Sequence, residues 1–355
     1  MSESTLLTAA VPDRAVWQKA TFSSALLAVT VLPLLATSIY SMAPRLPGVM
    51  PAIVVMYIVA VTHIFSTSYL LTDTAVLRFI AFHPVKMGLV PLFMVIGGTL
   101  ILSQPGSAFF VSAVLAFYLY QTWHFGAQNI GVATFISLAE RGKPLSAGEK
   151  NLIRLGVVCS MMGILRAIAP DFIVGEGYMP VAPLATALLE LSYIAGRIAA
   201  CGLAAAALVL LIGAWRQQFF MYGLALLLSV TFQFPMYLSH DRMISFLSFG
   251  IAHGLQYMLI LFWHSLGRPM AKRVRSPLRT GYLAAPLALL SLAVISRFVW
   301  SYSSALSSDR FPLIGLAFLM SLTLAHFWVD QFLWRMKDKE RAQWVRARYA
   351  FIFAH

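Results

Sequence analysis

Apolar runs long enough to cross a bilayer recur from residue 20 to residue 334, and no other feature limits the fold as much. A backbone in hydrocarbon must satisfy its own amides and carbonyls, so such a chain forms helices or a closed barrel. The runs are continuous rather than alternating, which selects helices. A span takes roughly 20 apolar residues. Ten segments reach about that length: 20–40, 50–72, 87–103, 107–130, 153–170, 188–214, 217–238, 243–266, 280–302 and 311–334. The third and fifth are short, so a count of eight or nine also fits. The expectation is an all-α, polytopic integral membrane bundle of about ten transmembrane helices, with no internal repeat.

Composition excludes a soluble domain. The chain is 60% hydrophobic and 11% charged, with a mean hydropathy of +0.79, where a soluble domain carries about 25% charged residues. A single membrane domain is expected over 1–355, with a polar segment at 1–19 and a basic tail at 335–355. The first 19 residues mix acids and bases, unlike a cleavable signal, so the first span is expected to stay. Net charge is +13, yet the basic residues sit in short loops between apolar runs. That pattern fits membrane topology and anionic headgroups rather than nucleic acid. The two cysteines, Cys159 and Cys201, form neither a CxxC pair nor a disulfide framework.

With ten spans and the N-terminus inside, 20 of the 26 basic residues fall on the cytoplasmic side. Only Arg45, Arg242 and Arg310 fall outside. This asymmetry predicts both termini in the cytoplasm; the expected location is a bacterial inner membrane. Arg166, Arg197 and Arg297 lie within spans, where their side chains reach outer headgroups. Glu190 and Arg197 share a helix face and are expected to pair. The tail, with Trp344, Tyr349, Phe351 and Phe353, reads either as an interfacial segment or as a solvated helix end.

Five histidines lie inside these apolar runs: His63, His124, His253, His264 and His326. Titratable groups at membrane depth are costly and mark function by default. The topology places His63, His124, His264 and His326 late in outside-to-inside spans, at similar depth. His253 precedes His264 by eleven residues on the same helix face, and a rise of roughly 16 Å forbids one ion from taking both. His326 and Asp330 share a face, as do Gln121, His124 and Gln128. Thr67 follows His63 by one turn, and Asp73 ends its span near His83. A lone histidine of this kind is often a hydrogen-bond partner between helices; several at one depth beside a carboxylate exceed what packing requires.

Imidazole with carboxylate suits iron, copper or zinc, and nonhaem iron uses such a set to activate oxygen. The expected ligands are His63, His124, His264 and His326. Asp330 is a further ligand or orienter, and Tyr257 a catalytic or substrate contact. His253, Gln121, Gln128 and Gln256 lie behind the ligands or against the substrate. The reading is a metal-dependent oxidoreductase acting on a lipid or isoprenoid, with reductant from a redox partner or membrane quinone. Trp123-His124-Phe125-Gly126, with histidines spread over several spans, resembles the bacterial membrane β-carotene dioxygenases of the Brp/Blh type. That resemblance implies an all-helical fold, iron held by four histidines and cleavage of a carotenoid. The family's early Pro-His-Gly string is absent, because His63 follows Val61-Thr62. The stretch from Ala325 to Arg335 also resembles a string in uncharacterised His-rich bacterial membrane proteins, which brings no function with it.

Two rival classes use the same residues. Histidines on facing helices can hold haem for electron transfer, although no spacing here stacks two haems through one core. A transporter can run protons along His and Asp chains, although the halves show neither repeat symmetry nor matched broken spans. A scaffold without chemistry is a further reading. No nucleotide-binding glycine motif is present.

Overall fold

The structure is a computed structural model that describes residues 11–42, 59, 62–64, 66–67, 70, 73–104, 107–173, 183–238, 242–266, 311–336 and 338–353. Among these there are helices and turns but no strand. The elements are α1 (Val11–Met42), α2 (Thr74–Phe82), α3 (Val90–Leu102, entered through a π-helical turn at Val85–Leu89) and α4 (Ala108–Arg141). They continue with α5 (Ala147–Ile173), α6 (Pro183–Arg216), α7 (Phe220–Thr231), α8 (Pro235–Leu238) and α9 (Arg242–Leu266). The last are α10 (Phe311–Leu333), α11 (Lys339–Arg348) and α12 (Ala350–Phe353). The expected ninth span, most of the second, Arg45, Arg297, Arg310, Lys337 and the basic loop 268–279 lie outside the described residues.

Four helices are long and apolar enough to cross a membrane, over Ala15–Ala36, Val85–Leu102, Thr186–Arg216 and Ile314–Leu333. The remaining helices are shorter or carry more polar residues. The seventh expected span, 217–238, is not one helix: α7 ends at Thr231, a turn follows, and Pro235 opens α8. Proline donates no amide and clashes with the preceding turn, which favours a fresh helix start at Pro235, although α1 carries Pro33 within its length. The helix of the first span begins already at Val11, inside the segment expected to stay polar and separate.

α4 is the axis of the bundle, in contact with α1, α3, α5, α7, α9 and α10. Its ends are set locally. The Ser107 hydroxyl accepts the Phe110 amide at 3.1 Å, and Gly142 closes the helix at φ 69°, a left-handed position that glycine occupies without steric cost. α4 thus runs well past residue 130, where its apolar run stops. α5 starts with a capping box: Ser146 Oγ accepts the Glu149 amide at 3.3 Å, and Glu149 Oε2 accepts the Ser146 amide at 2.6 Å. α3 lies along α10 so closely that a Cβ on Gly98 would sit 2.6 Å from Ser321 Oγ. The π-helical turn before α3 offers the Lys86 carbonyl to the Trp328 indole of α10 at 2.8 Å.

The largest core joins α1, α4, α5, α7, α9 and the C-terminal helices. Phe22, Ile136, Ile153, Leu226 and Tyr349 are fully buried there. The C-terminal aromatics therefore do not form a peripheral tail. Tyr349 and Phe351 pack on Phe22 with ring centroids at 6.1 and 5.6 Å, and the Tyr349 hydroxyl donates to the Ile260 carbonyl at 2.7 Å. Phe22, Phe135 and Trp263 supply the aromatic wall on which Tyr349 is buried and Phe351 half-buried.

The basic end of the bundle is knit together. Glu140 accepts the first amides of α7, from Met221 at 3.2 Å and Tyr222 at 2.6 Å. Arg141 pairs with Glu149 at 3.2 Å, and the Tyr222 hydroxyl donates to the same carboxylate. Burial alone would raise the Glu149 pKa, but the bonds from Tyr222, Arg141 and the Ser146 amide bring it down to about 2. Glu190 pairs with Arg166 at 2.7 Å rather than with Arg197, because Arg166 faces α6 from α5 and rests 4.7 Å over the Tyr193 ring. Arg197 is exposed.

Candidate metal centre

Four histidines converge where α4, α9, α10 and the helical stretch at 62–64 meet. His124 comes from α4, His253 from α9 and His326 from α10. All four are buried. Ring centroids lie at 4.7 Å for His63–His253, 5.0 Å for His63–His326, 4.9 Å for His124–His253 and 5.8 Å for His124–His326. The interplanar angles run from 64° to 89°, so the rings splay about a common point rather than stack. Phe327 stacks on His124 at 4.1 Å and fixes that ring. Gly254 admits the His63 stretch against α9: a Cβ there would lie 3.2 Å from the Val59 carbonyl oxygen and 3.3 Å from His63 Nδ1.

Asp330 lies beside His326 on α10, and a hydrogen-bond chain orders both. Tyr257 donates to Asp330 Oδ1 at 3.0 Å. Its single proton is then used, so Thr67 Oγ1, 3.0 Å away, donates to the Tyr257 oxygen. Thr67 in turn accepts from His326 Nδ1 at 2.7 Å. With Asp330 ionised, this direction leaves a bare lone pair on His326 Nε2, which lies 3.5 Å from Asp330 Oδ2. Two acceptors thus face each other in a buried site. They repel, and a cation between them removes the repulsion.

The other imidazoles carry the same message. His124 Nε2 and both nitrogens of His253 are buried without a hydrogen-bond partner among the described residues. Each such group costs about 1–3 kcal/mol when left unsatisfied, and the sum is a large share of the roughly 5–15 kcal/mol that holds a domain together. Ligand atoms of His63, His253 and His326 lie within 4.8 Å of one another, as do those of His124, His326 and Asp330. Metal–imidazole bonds of about 2.0–2.1 Å separate two ligand atoms by at most about 4.2 Å. Small side-chain rotations therefore close either triad on an ion. The two triads share His326.

A polar layer stands behind the ligands. Gln128 Nε2 donates to the His253 carbonyl and to Gln256 Oε1, both at 2.9 Å. Gln256 Nε2 donates to Thr30 Oγ1 at 2.8 Å and Asn129 Oδ1 at 3.1 Å. Gln121 is half-buried one turn before His124 and makes no such bond through its Oε1.

His264 is not in this cluster; His253 is. The expected depth of His124 was measured from the end of an apolar run, but α4 continues to Arg141. His124 is therefore deeper in its helix and level with His253. His264, three turns further along α9, faces Asp73 with Nε2 at 3.7 Å from Oδ2. Asp73 is not joined to His83, which instead bonds the Phe79 carbonyl through Nδ1 at 3.1 Å. Asp73 Oδ1 caps α2 through the Ala75 amide at 3.0 Å, while Oδ2 accepts from the Trp344 indole at 3.1 Å and from Arg348. Burial raises the Asp73 pKa, but His264, Trp344, the Ala75 amide and Arg348 outweigh it and hold it well below the usual carboxylate range. The sequence marked Asp73, Trp344 and Arg348 separately; no local spacing joins them across 271 residues or more.

No family model, no curated protein and no solved structure matches this chain.

Proposed function

We propose that the cluster is a metal centre, and that the chain is a membrane-embedded metal-dependent oxidoreductase acting on a lipophilic substrate. The observation that carries this is the confrontation of His326 Nε2 with Asp330 Oδ2 inside a ring of buried imidazoles. Two histidines and a carboxylate, as in His124, His326 and Asp330, are the donor set of nonhaem iron oxygenases. His63 and His253 complete the sphere. Bound there, iron supplies oxygen activation. Thr67 and Tyr257 hold the His326 tautomer, and Gln128 holds the backbone at His253. Haem fits less well: a porphyrin placed between any facing pair would be crossed by the other two rings.

The topology belongs to the same reading. Arg141, Lys143, Arg216, Arg335 and Arg348 gather at the end of the bundle knit by Glu140, Glu149 and Asp73. Placing that end in the cytoplasm of a bacterial inner membrane, with about ten spans, follows the positive-inside rule. A lipid or isoprenoid substrate then enters from the bilayer.

Metal analysis with an optical spectrum on protein purified without chelators tests this. Near-stoichiometric iron without a Soret band is expected, lost in His124→Ala and Asp330→Asn. A Soret band, or full metal in both variants, overturns it.

A further inference from the structure

Between the cluster and the basic end lies a line of oxidisable side chains that the metal reading does not use. Tyr257 stands 5.5 Å from His326, centroid to centroid. Trp334 stands 6.4 Å from Tyr257, and Trp344 stands 5.8 Å from Trp334. Trp344 then lines a groove of about 310 Å³ with Phe79, Phe82, Leu333, Arg78 and Arg341. The line therefore runs from a fully enclosed site to the surface with no gap wider than one ring-to-ring contact. Its two ends carry carboxylates. Tyr257 donates to Asp330 and the Trp344 indole donates to Asp73. A phenol loses an electron readily only when a base takes its proton, and an indole cation is stabilised by a nearby negative charge.

We propose that Trp344, Trp334 and Tyr257 form a one-electron relay between the surface groove and the histidine cluster. The inference rests on the metal reading for its oxidant in the cell, the centre in its oxidised form; its path needs only these side chains. Tyr257 gives one electron to the oxidant while its phenol proton stays within the hydrogen bond to Asp330, and Trp334 returns that electron. Trp344 reduces Trp334. A hydroquinone-class donor in the groove, set between the aromatic wall and the two guanidiniums, gives one electron to Trp344 and one proton to water. Each passage moves one electron inward and no net proton along the line.

The test uses the full chain stripped of metal, so its failure is separate from failure of the metal reading. Cys159, buried, and Cys201, exposed, are both replaced by alanine. Arg78→Cys then carries a ruthenium polypyridyl photo-oxidant at the groove. After a flash with an irreversible electron acceptor, paramagnetic resonance is expected to show a tyrosyl radical that Tyr257→Phe removes. Trp334→Phe is expected to abolish that signal and leave the radical on Trp344. Trp334→Tyr, still oxidisable, is expected to restore transfer in a protein with the same melting profile. A tyrosyl signal that survives Trp334→Phe or Tyr257→Phe, or a radical that never leaves Trp344 in the parent, overturns the relay.

Discussion

Asp73 and Asp330 are both buried carboxylates beside a histidine of the membrane region, yet their surroundings are opposite. Asp73 is saturated: an amide, an indole and a guanidinium donate to it, with His264 close by. Asp330 takes one phenol proton and otherwise faces a nitrogen lone pair. The first arrangement is complete as it stands and ties α2, α9 and α11 together. The second is incomplete and lies beside His124 and His253, whose buried nitrogens lack partners among the described residues. Hydrogen-bond supply, rather than residue type or burial, separates a structural carboxylate from a candidate ligand.

The difference is broken most severely at Asp73. Asp73→Ala leaves the Arg348 charge and the Trp344 indole buried without their acceptor, which costs about 3–5 kcal/mol. Chemical unfolding in detergent is expected to show that loss, while iron per folded molecule stays unchanged. The opposite sign is expected at the other site. His253→Leu removes an orphaned imidazole and stabilises the metal-free protein by about 1–3 kcal/mol, yet metal analysis finds no iron. A His253→Leu protein that is less stable without metal would place this histidine with the structural group. Tyr257→Phe sharpens the same contrast, because it frees Asp330 and unsettles the His326 tautomer without touching a ligand. Removing such a partner weakens metal binding about 10–100-fold, which competition with a chelator measures.

Acid separates a third carboxylate from these two. Glu149 has its folded pKa brought down to about 2, against an unfolded value of about 4.3. A depressed pKa contributes stability that is fully present above the unfolded value and lost as pH falls towards the folded one. The melting temperature of the parent is expected to drop as pH falls below about 4, and that of Glu149→Gln to drop less. The smallest effect is expected at Gly254→Ala. Its Cβ presses the Val59 carbonyl and the His63 ring by a few tenths of an ångström, which belongs at the low end, about 1 kcal/mol, of what overpacking costs. Loss of iron affinity without loss of folding would show that His63 is held by this contact.

The helices were legible because apolar length leaves little choice in hydrocarbon, and eight of the ten expected segments fall on described helices. Where one broke, at 232–234, Pro235 was in plain view, but so was Pro33, which lies inside the continuous α1. The site was legible in kind but not in membership. Periodicity put His253 and His264 on one face of α9 and kept them on different levels. It could not say which level met His326, since that depends on how far α4 extends beyond its apolar run. The long-range partners of Thr67 and Asp73 were unreadable for a further reason: they lie 190 to 275 residues away.

The packing of Tyr349 and Phe351 against Phe22 has a consequence for how the protein is made. α1 leaves the ribosome about 300 residues before the rings that complete its core. Until residues 349–353 clear the exit tunnel, the buried face of Phe22 lacks part of its partner surface. During that interval the half-built bundle must have that face shielded by something other than its own rings. The turn at 349–353 acts as a closing stitch on α1.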